Sequence, residues 1–263
     1  MIISLAMEFM QTAVDAALKG GEVLLSRFGS SNNVRFKEKI NLVTDADLLA
    51  ERAVVDVIQK SFPDHQLMGE EGVANGGESD HKWIIDPLDG TTNYAHGYPV
   101  FSVSVALEIT GEVVVGAVYN PILKELFTAE KGKGSFLNDK LLKVSNTDKL
   151  IDSLLSTGFP YVRMTGGPTN LEYFNKAIMN CQEIRRDGSA ALDLCYVAAG
   201  RFDGFWELML KPWDDAAGML ILTEAGGKVT NLRGGQYSIY SDEILATNGL
   251  IHQELMGVLN SVV

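Results

Sequence analysis

The chain has 263 residues, 46% hydrophobic and 21% charged, a balance that supports a buried core and excludes general disorder. Aspartate and glutamate number 34 against 22 lysines and arginines, for a net charge of −12, so neither a nucleic acid nor an anionic membrane is an expected partner. The length suits one large domain or two intimate ones, because single cores stop growing near about 250–300 residues.

The start, MIISLAMEFM, has no basic segment and no small-residue cleavage site, so no signal peptide is expected. No apolar run approaches the ~18 residues of a membrane span. Residues 6–28 read as an amphipathic helix through Ala6, Met10, Ala13, Ala17, Leu24 and Phe28, with Gly20 and Gly21 suited to a close helix contact. Residues 29–43 predict an exposed, mobile loop carrying Lys37 and Lys39, and a role as a lid is open to it. Thr44 and Asp47 form a T-x-x-D start signal for a helix that runs to about Ser61 and closes at Pro63-Asp64.

Short strands follow at 66–68, 83–86, 101–109, 112–119 and 125–129, with a tight turn at Gly111. Strands joined by short turns argue for an antiparallel sheet with the first two helices on one face. After about residue 145 the pattern alternates: strands at 154–157, 183–185, 202–207, 228–231 and 244–247, helices at 171–179, 189–199, 214–225 and 251–259. The reading is one domain, 1–263, with an α+β part over about 1–145 and an α/β part over about 146–263. Cys181 and Cys195 read as buried free thiols of a cytoplasmic protein. His96 reads as a hydrogen-bonded structural residue, and His65, His81 and His252 as surface residues.

Three acidic segments stand at strand ends or helix starts: Gly69-Glu70-Glu71-Gly72, then WIIDPLDGTTN at 83–93, then WDDAAG at 213–218. In the second, Ile84 and Ile85 continue a buried strand, Asp86 ends it, and Pro87 takes the chain out of the sheet. Asp89-Gly90 is a turn signal, and Thr91, Thr92 and Asn93 open a short helix or turn with free N–H groups. Carboxylates bind hard divalent cations and amide nests bind phosphate oxygens, so the pairing suggests a phosphate bridged by metal.

These blocks resemble the signatures of the inositol monophosphatase family, within the magnesium-dependent, lithium-sensitive phosphatase superfamily. NLVTDAD at 41–47 and RRDGSAALDLCYVAAGRFDGFWE at 185–207 extend the resemblance over essentially the whole chain. It implies a layered α-β-α-β-α sandwich. It also implies two to three Mg2+ ions: Glu70, Asp86 and the Leu88 carbonyl resemble ligands of the first, Asp86, Asp89 and Asp214 of the second, with Glu70 and water on a weaker third. Gly90 and Thr91 resemble phosphate contacts, and Asp47 the residue that pairs with Thr91 to polarise the attacking water. Gly188, Ser189, Ala190 and Glu207 match positions that hold the alcohol part of the substrate, with Asp89 and Asp214 also among the expected substrate contacts. Asp215 points about 100° from Asp214 on a helix and is not expected to share its metal. Asp86-Pro87-Leu88-Asp89 lacks the D-x-D spacing of an aspartyl-phosphate nucleophile, which argues for direct water attack.

The expected activity is hydrolysis of inositol monophosphate, by a lithium-sensitive homodimer that takes a small phosphorylated substrate. Fructose-1,6-bisphosphate, NADP, histidinol phosphate and 3′-phosphoadenosine 5′-phosphate are rival substrates, and a non-catalytic regulatory protein is a rival of another class. Segment 158–171 is expected near the pocket. Arg185 and Arg186 suit either a subunit contact or a second phosphate.

Overall fold

The protein is described by a computed structural model over residues 2–30, 34–36, 42–75 and 79–261. Helix α1 (Ile2–Arg27) buries Phe9, Ala13, Ala16, Ala17 and Leu24 along one stripe. Strands β1 (Val34–Phe36) and β2 (Leu42–Thr44) pair antiparallel, so the stretch expected to be a patternless loop holds a two-stranded ribbon. Strands of three residues are too short to show an alternation in sequence. Lys37 and Lys39 lie outside the described residues, and with them the lid. Helix α2 (Asp45–Ser61) starts at a capping box, with the Thr44 N–H donating to Asp47 Oδ2 at 2.8 Å. The Gly20–Gly21 pair does lie at a close contact: a Cβ on Gly20 would meet Val54 at 2.9 Å, and one on Gly21 the Tyr119 ring at 2.5 Å.

Next come β3 (Gln66–Gly69), β4 (Ala74–Asn75), β5 (His81–Asp89), α3 (Thr91–Ala95), β6 (Ser102–Ile109), β7 (Glu112–Asn120), β8 (Glu125–Glu130), β9 (Ser135–Leu137) and β10 (Lys140–Leu141). Their sheet has the order β10-β9-β8-β7-β6-β5-β3-β4. Its pairs are antiparallel except β3 with β5, which run parallel. Pro87 does not take the chain out of this sheet. Pairing passes from Asp86↔Ser104 to Asp89↔Ser102, so three steps on β5 oppose two on β6. The extra residue is a bulge, where a prolyl nitrogen with no hydrogen to donate is tolerated.

The remaining elements are β11 (Leu154–Thr157), α4 (Leu171–Ala177), β12 (Glu183–Arg185), α5 (Ala190–Ala198), β13 (Gly204–Leu208), α6 (Pro212–Glu224), β14 (Lys228–Thr230), β15 (Glu243–Thr247) and α7 (His252–Asn260). The second sheet has the order β12-β11-β13-β15-β14, mixed in direction. Helices α1 and α2 pack on β5, β6 and β7; α6 packs on the other face of that sheet, and α5 reaches the second sheet. Helices α4 and α7 contact each other, and α7 packs on β15. The layers are α-β-α-β-α, as the resemblance implied. Strand β5 is buried from Trp83 to Asp89 because helices cover both its faces.

The histidines depart from expectation. His252 is buried, with Thr230 Oγ1 and Thr247 Oγ1 each 2.9 Å from a ring nitrogen. His65 and His81 are half-buried and stack at 4.6 Å between centroids, and the Trp83 indole donates to His65 Nδ1 at 3.0 Å. Burial, then the neighbouring His81, pushes His65 down to about 4. His96 is exposed after α3 and bonds Thr92 O through its backbone N–H. A histidine among polar neighbours gives no local sign of a tertiary pocket.

Candidate active site

The bulge at Pro87 puts Asp86, Leu88 and Asp89 in the interior at the end of β5. Asp86 Oδ1 accepts the Leu88 N–H at 2.9 Å, an Asx-type turn that orients the carboxylate. Gly90 follows with φ 102, and a Cβ there would meet Val100 O at 3.0 Å, so both backbone and space require glycine. Thr91 is buried at the start of α3. Its hydroxyl lies 3.0 Å from Asp47 Oδ1 and 3.1 Å from Leu88 O, with one proton to give. Asp47, fully buried, divides its oxygens: Oδ2 accepts from the Thr44 N–H and hydroxyl at 2.8 and 2.6 Å, and Oδ1 faces Thr91. Capping and contact with Thr91 are therefore simultaneous. Burial raises the Asp47 carboxyl above its ordinary range against the bonds from Thr44 and Thr91.

Three other elements bring carboxylates to the same place. Glu70 follows β3, fastened by its N–H to Ile85 O at 3.2 Å. Asp89 Oδ2 accepts from the Ser189 hydroxyl at 2.6 Å and the Ala191 N–H at 2.8 Å, which ties β5 to the start of α5. Asp214 Oδ2 accepts the Lys211 N–H at 2.6 Å in the first turn of α6. Asp215 is buried elsewhere and receives the Tyr237 hydroxyl.

Burial raises Asp86 well above the carboxylate range, and Glu70, Asp89 and Asp214 push it further. Asp89 is pushed up to about 6 by burial and by Glu70, against its bonds from Ser189 and Ala191. Asp214 is raised by burial and by Asp89, Glu70 and Asp215, against its bond from Lys211. Among the described residues no three His, Cys, Asp or Glu side chains already stand as a closed ligand set. The fold supplies a cluster of mutually repelling carboxylates, each of the three aspartates turned by one anchored oxygen. That donor chemistry fits hard divalent cations.

A cavity of about 330 Å³ opens on the cluster. Glu70, Asp89, Asp214, Gly188, Ser189, Ala190 and Glu207 line it, as does 158–162 of the segment expected near the pocket. Asp86, Leu88, Thr91 and Asp47 are buried and are not on its wall. Gly90 abuts the far turn, 3.3 Å from its virtual Cβ to Gly188 O. The Asn93 amide pins that turn by donating to Val100 O and Asp187 O, both at 2.7 Å. Glu207 lies across Gly158, where a Cβ would overlap its carboxylate. Burial pushes Glu207 up to about 8, with Arg186 and Arg163 opposing and Asp89 adding.

Sequence reasoning missed Asp193, which lies on the cavity wall, fully buried, with an Oδ1 that has no hydrogen-bond partner. The available signal was one acid inside the apolar helix AALDLCYVA. Trp213 was not singled out either, and it lies on the same wall; Tyr161 belongs to the segment expected there. Arg186 lines the cavity; Arg185 does not.

Glu207 makes stability depend on pH. Between its ordinary value of 4.5 and about 8, the unfolded chain has lost a proton that the folded chain keeps. Its contribution to stability therefore falls as pH rises through that window. Thermal denaturation of Glu207→Gln between pH 5 and pH 8 should show a smaller fall in Tm than the parent; equal slopes would contradict the assignment.

The family model described as the inositol monophosphatase family matches residues 6–263. A Pasteurella multocida protein named Nus factor SuhB is 44% identical over 250 residues, 94% of this chain and 94% of that protein. An inositol-1-monophosphatase from Mesorhizobium japonicum is 42% identical over 250 residues, again 94% of each. The solved structure of an inositol monophosphatase from Anabaena (Nostoc) sp. matches with TM-score 0.90 and 43% identity, covering 98% of this chain and 97% of that one. Sequence, layer order and nearly full-length coverage agree, and the chain belongs to the inositol monophosphatase family.

Proposed function

We propose that the protein is a Mg2+-dependent phosphomonoesterase that hydrolyses myo-inositol monophosphate to inositol and phosphate by direct attack of water. The observation that carries this reading is the repelling set Glu70, Asp86, Asp89 and Asp214 beside a cavity whose far wall holds Glu207. Two to three magnesium ions held by these carboxylates and the Leu88 carbonyl would neutralise phosphoryl charge and acidify the attacking water. Asp47 Oδ1 accepts the Thr91 proton, which leaves the Thr91 oxygen to accept a hydrogen bond from that water and aim it at phosphorus. Gly90 and Thr91 hold the phosphate; Gly188, Ser189, Ala190 and Glu207 hold the alcohol. The water oxygen bonds to phosphorus as the bond from phosphorus to the ester oxygen breaks; the water gives up a proton, the departing alkoxide takes one from solvent, and no covalent enzyme intermediate forms. Both cysteines are buried, and burial pushes their thiols up, which suits neither for nucleophilic attack. We place the enzyme in the cytoplasm as a homodimer; among the described residues no helix is long and apolar enough to cross a membrane.

A regulatory role beside catalysis is favoured by one finding: identity to the protein named Nus factor SuhB equals that to the named phosphatase within two percentage points, 44% against 42%. The complete acidic set keeps hydrolysis as the first reading. Phosphate release with Mg2+ from inositol 1-phosphate, fructose-1,6-bisphosphate, NADP, histidinol phosphate and 3′-phosphoadenosine 5′-phosphate tests it. The expected kcat/KM is highest for inositol phosphate by about tenfold or more, with inhibition by lithium. A higher value for another phosphate would change the substrate, and no release from any would leave the regulatory reading.

A further inference from the structure

Every residue of α5 is buried, and Asp193 is its one charged side chain. A carboxyl without a partner is expensive in such surroundings, and an apolar residue of similar size would remove that cost. Asp193 Oδ1 has no hydrogen-bond partner, and no ion pair to this residue occurs among the described residues. The surrounding charges do not welcome it: Asp187, Glu207 and Asp89 repel it, with Arg186 alone opposing them. As an acid in the first turn of α5 Asp193 complements the helix dipole, but that role does not call for burial without a partner for Oδ1.

The residue does face the cavity. Asp193 stands three positions after Ala190, hence on nearly the same face of the helix, and both line the wall with Glu207 from β13. The phosphate end of the cavity is elsewhere, at Glu70, Asp89 and Asp214. A ligand that satisfies two acceptors at the alcohol end brings several hydroxyl donors and no negative charge of its own there.

We infer that Asp193 is a specificity-determining residue whose carboxyl hydrogen-bonds a hydroxyl of a polyol leaving group, beside Glu207. This rests on the hydrolase reading of the site. The two carboxyls select a polyol by offering hydrogen-bond partners to its hydroxyls. A site built to receive a hydroxyl discriminates strongly against an analogue that lacks it, because the buried acceptor is then left unpaired.

The test compares the parent, Asp193→Ala and the shape-conserving Asp193→Asn on inositol 1-phosphate, its mono-deoxy analogues and p-nitrophenyl phosphate, which has no hydroxyl on its leaving group. Asp193→Ala is expected to lower kcat/KM for inositol phosphate about tenfold more than for p-nitrophenyl phosphate, chiefly through KM, and Asp193→Asn by an intermediate factor. Removing one particular ring hydroxyl should penalise the parent about tenfold and Asp193→Ala hardly at all, the coupling expected of two groups in contact. Tm of both variants should equal or exceed the parent's, because a buried unpaired carboxyl has been removed. Equal losses on the two substrates, or a deoxy penalty the same in parent and variant, would overturn the inference while leaving the phosphatase intact. A parent that releases phosphate from none of these compounds would overturn the hydrolase reading and this inference with it.

Discussion

Asp89→Asn is expected to lower kcat about a thousandfold while the protein stays folded. Asp89 spends Oδ2 on the Ser189 hydroxyl and the Ala191 N–H. An amide oxygen can take both bonds, so the link between β5 and α5 survives. The amide nitrogen then replaces Oδ1 and presents hydrogens where a cation needs an oxygen. The substitution also removes one charge from a cluster in which Glu70, Asp89 and Asp214 all repel Asp86, so thermal stability without metal should hold or rise. Thermal denaturation and steady-state phosphate release on the purified variant check both halves. A kcat near the parent's would remove Asp89 from the reaction.

The second large effect concerns Asp47 and Thr91. Asp47→Asn and Thr91→Ala should each reduce kcat by about a hundredfold or more, and the double variant should be little worse than either. Asparagine is an adequate helix cap in general, but here one residue serves two sets of donors. Thr44 gives two hydrogens to Oδ2 and Thr91 gives one to Oδ1. Asparagine has a single acceptor oxygen, so it keeps the cap and turns N–H groups toward Thr91, or the reverse. If the cap wins, stability stays near the parent's and kcat falls. The two donors from Thr44 favour the first arrangement; a fallen Tm with a parent-like kcat would contradict the relay. A double-mutant cycle with additive losses would show that the two residues do not act as a unit.

The parts of the site legible in the sequence are those written as local chemistry. Thr44 with Asp47, Asp89-Gly90, and Trp213-Asp214 before an apolar run are turn and cap signals that need no tertiary knowledge. They place carboxylates at strand ends and helix starts. The α+β order followed by α/β was legible for a similar reason, since the change from short strands to alternating strands and helices near residue 145 is a change of period; the layered sandwich came from the family resemblance. Features set by packing were hidden. Pro87 reads as an exit from the sheet, and only the two-against-three pairing with β6 shows a bulge. His252 reads as polar surface until Thr230 and Thr247 close around it. Asp193 looks like an ordinary acid in the first turn of a helix, and its meaning depends on the wall it faces. The ribbon of Val34–Phe36 with Leu42–Thr44 is too short to announce itself.

The central claim is that the acidic cluster works by holding divalent cations for phosphate-ester hydrolysis. Phosphate release from myo-inositol 1-phosphate should be measured on one preparation as purified, in excess chelator, and after excess Mg2+ is restored. The account predicts turnover that vanishes with chelator and returns in full with magnesium. Turnover that continues unchanged in excess chelator would contradict it.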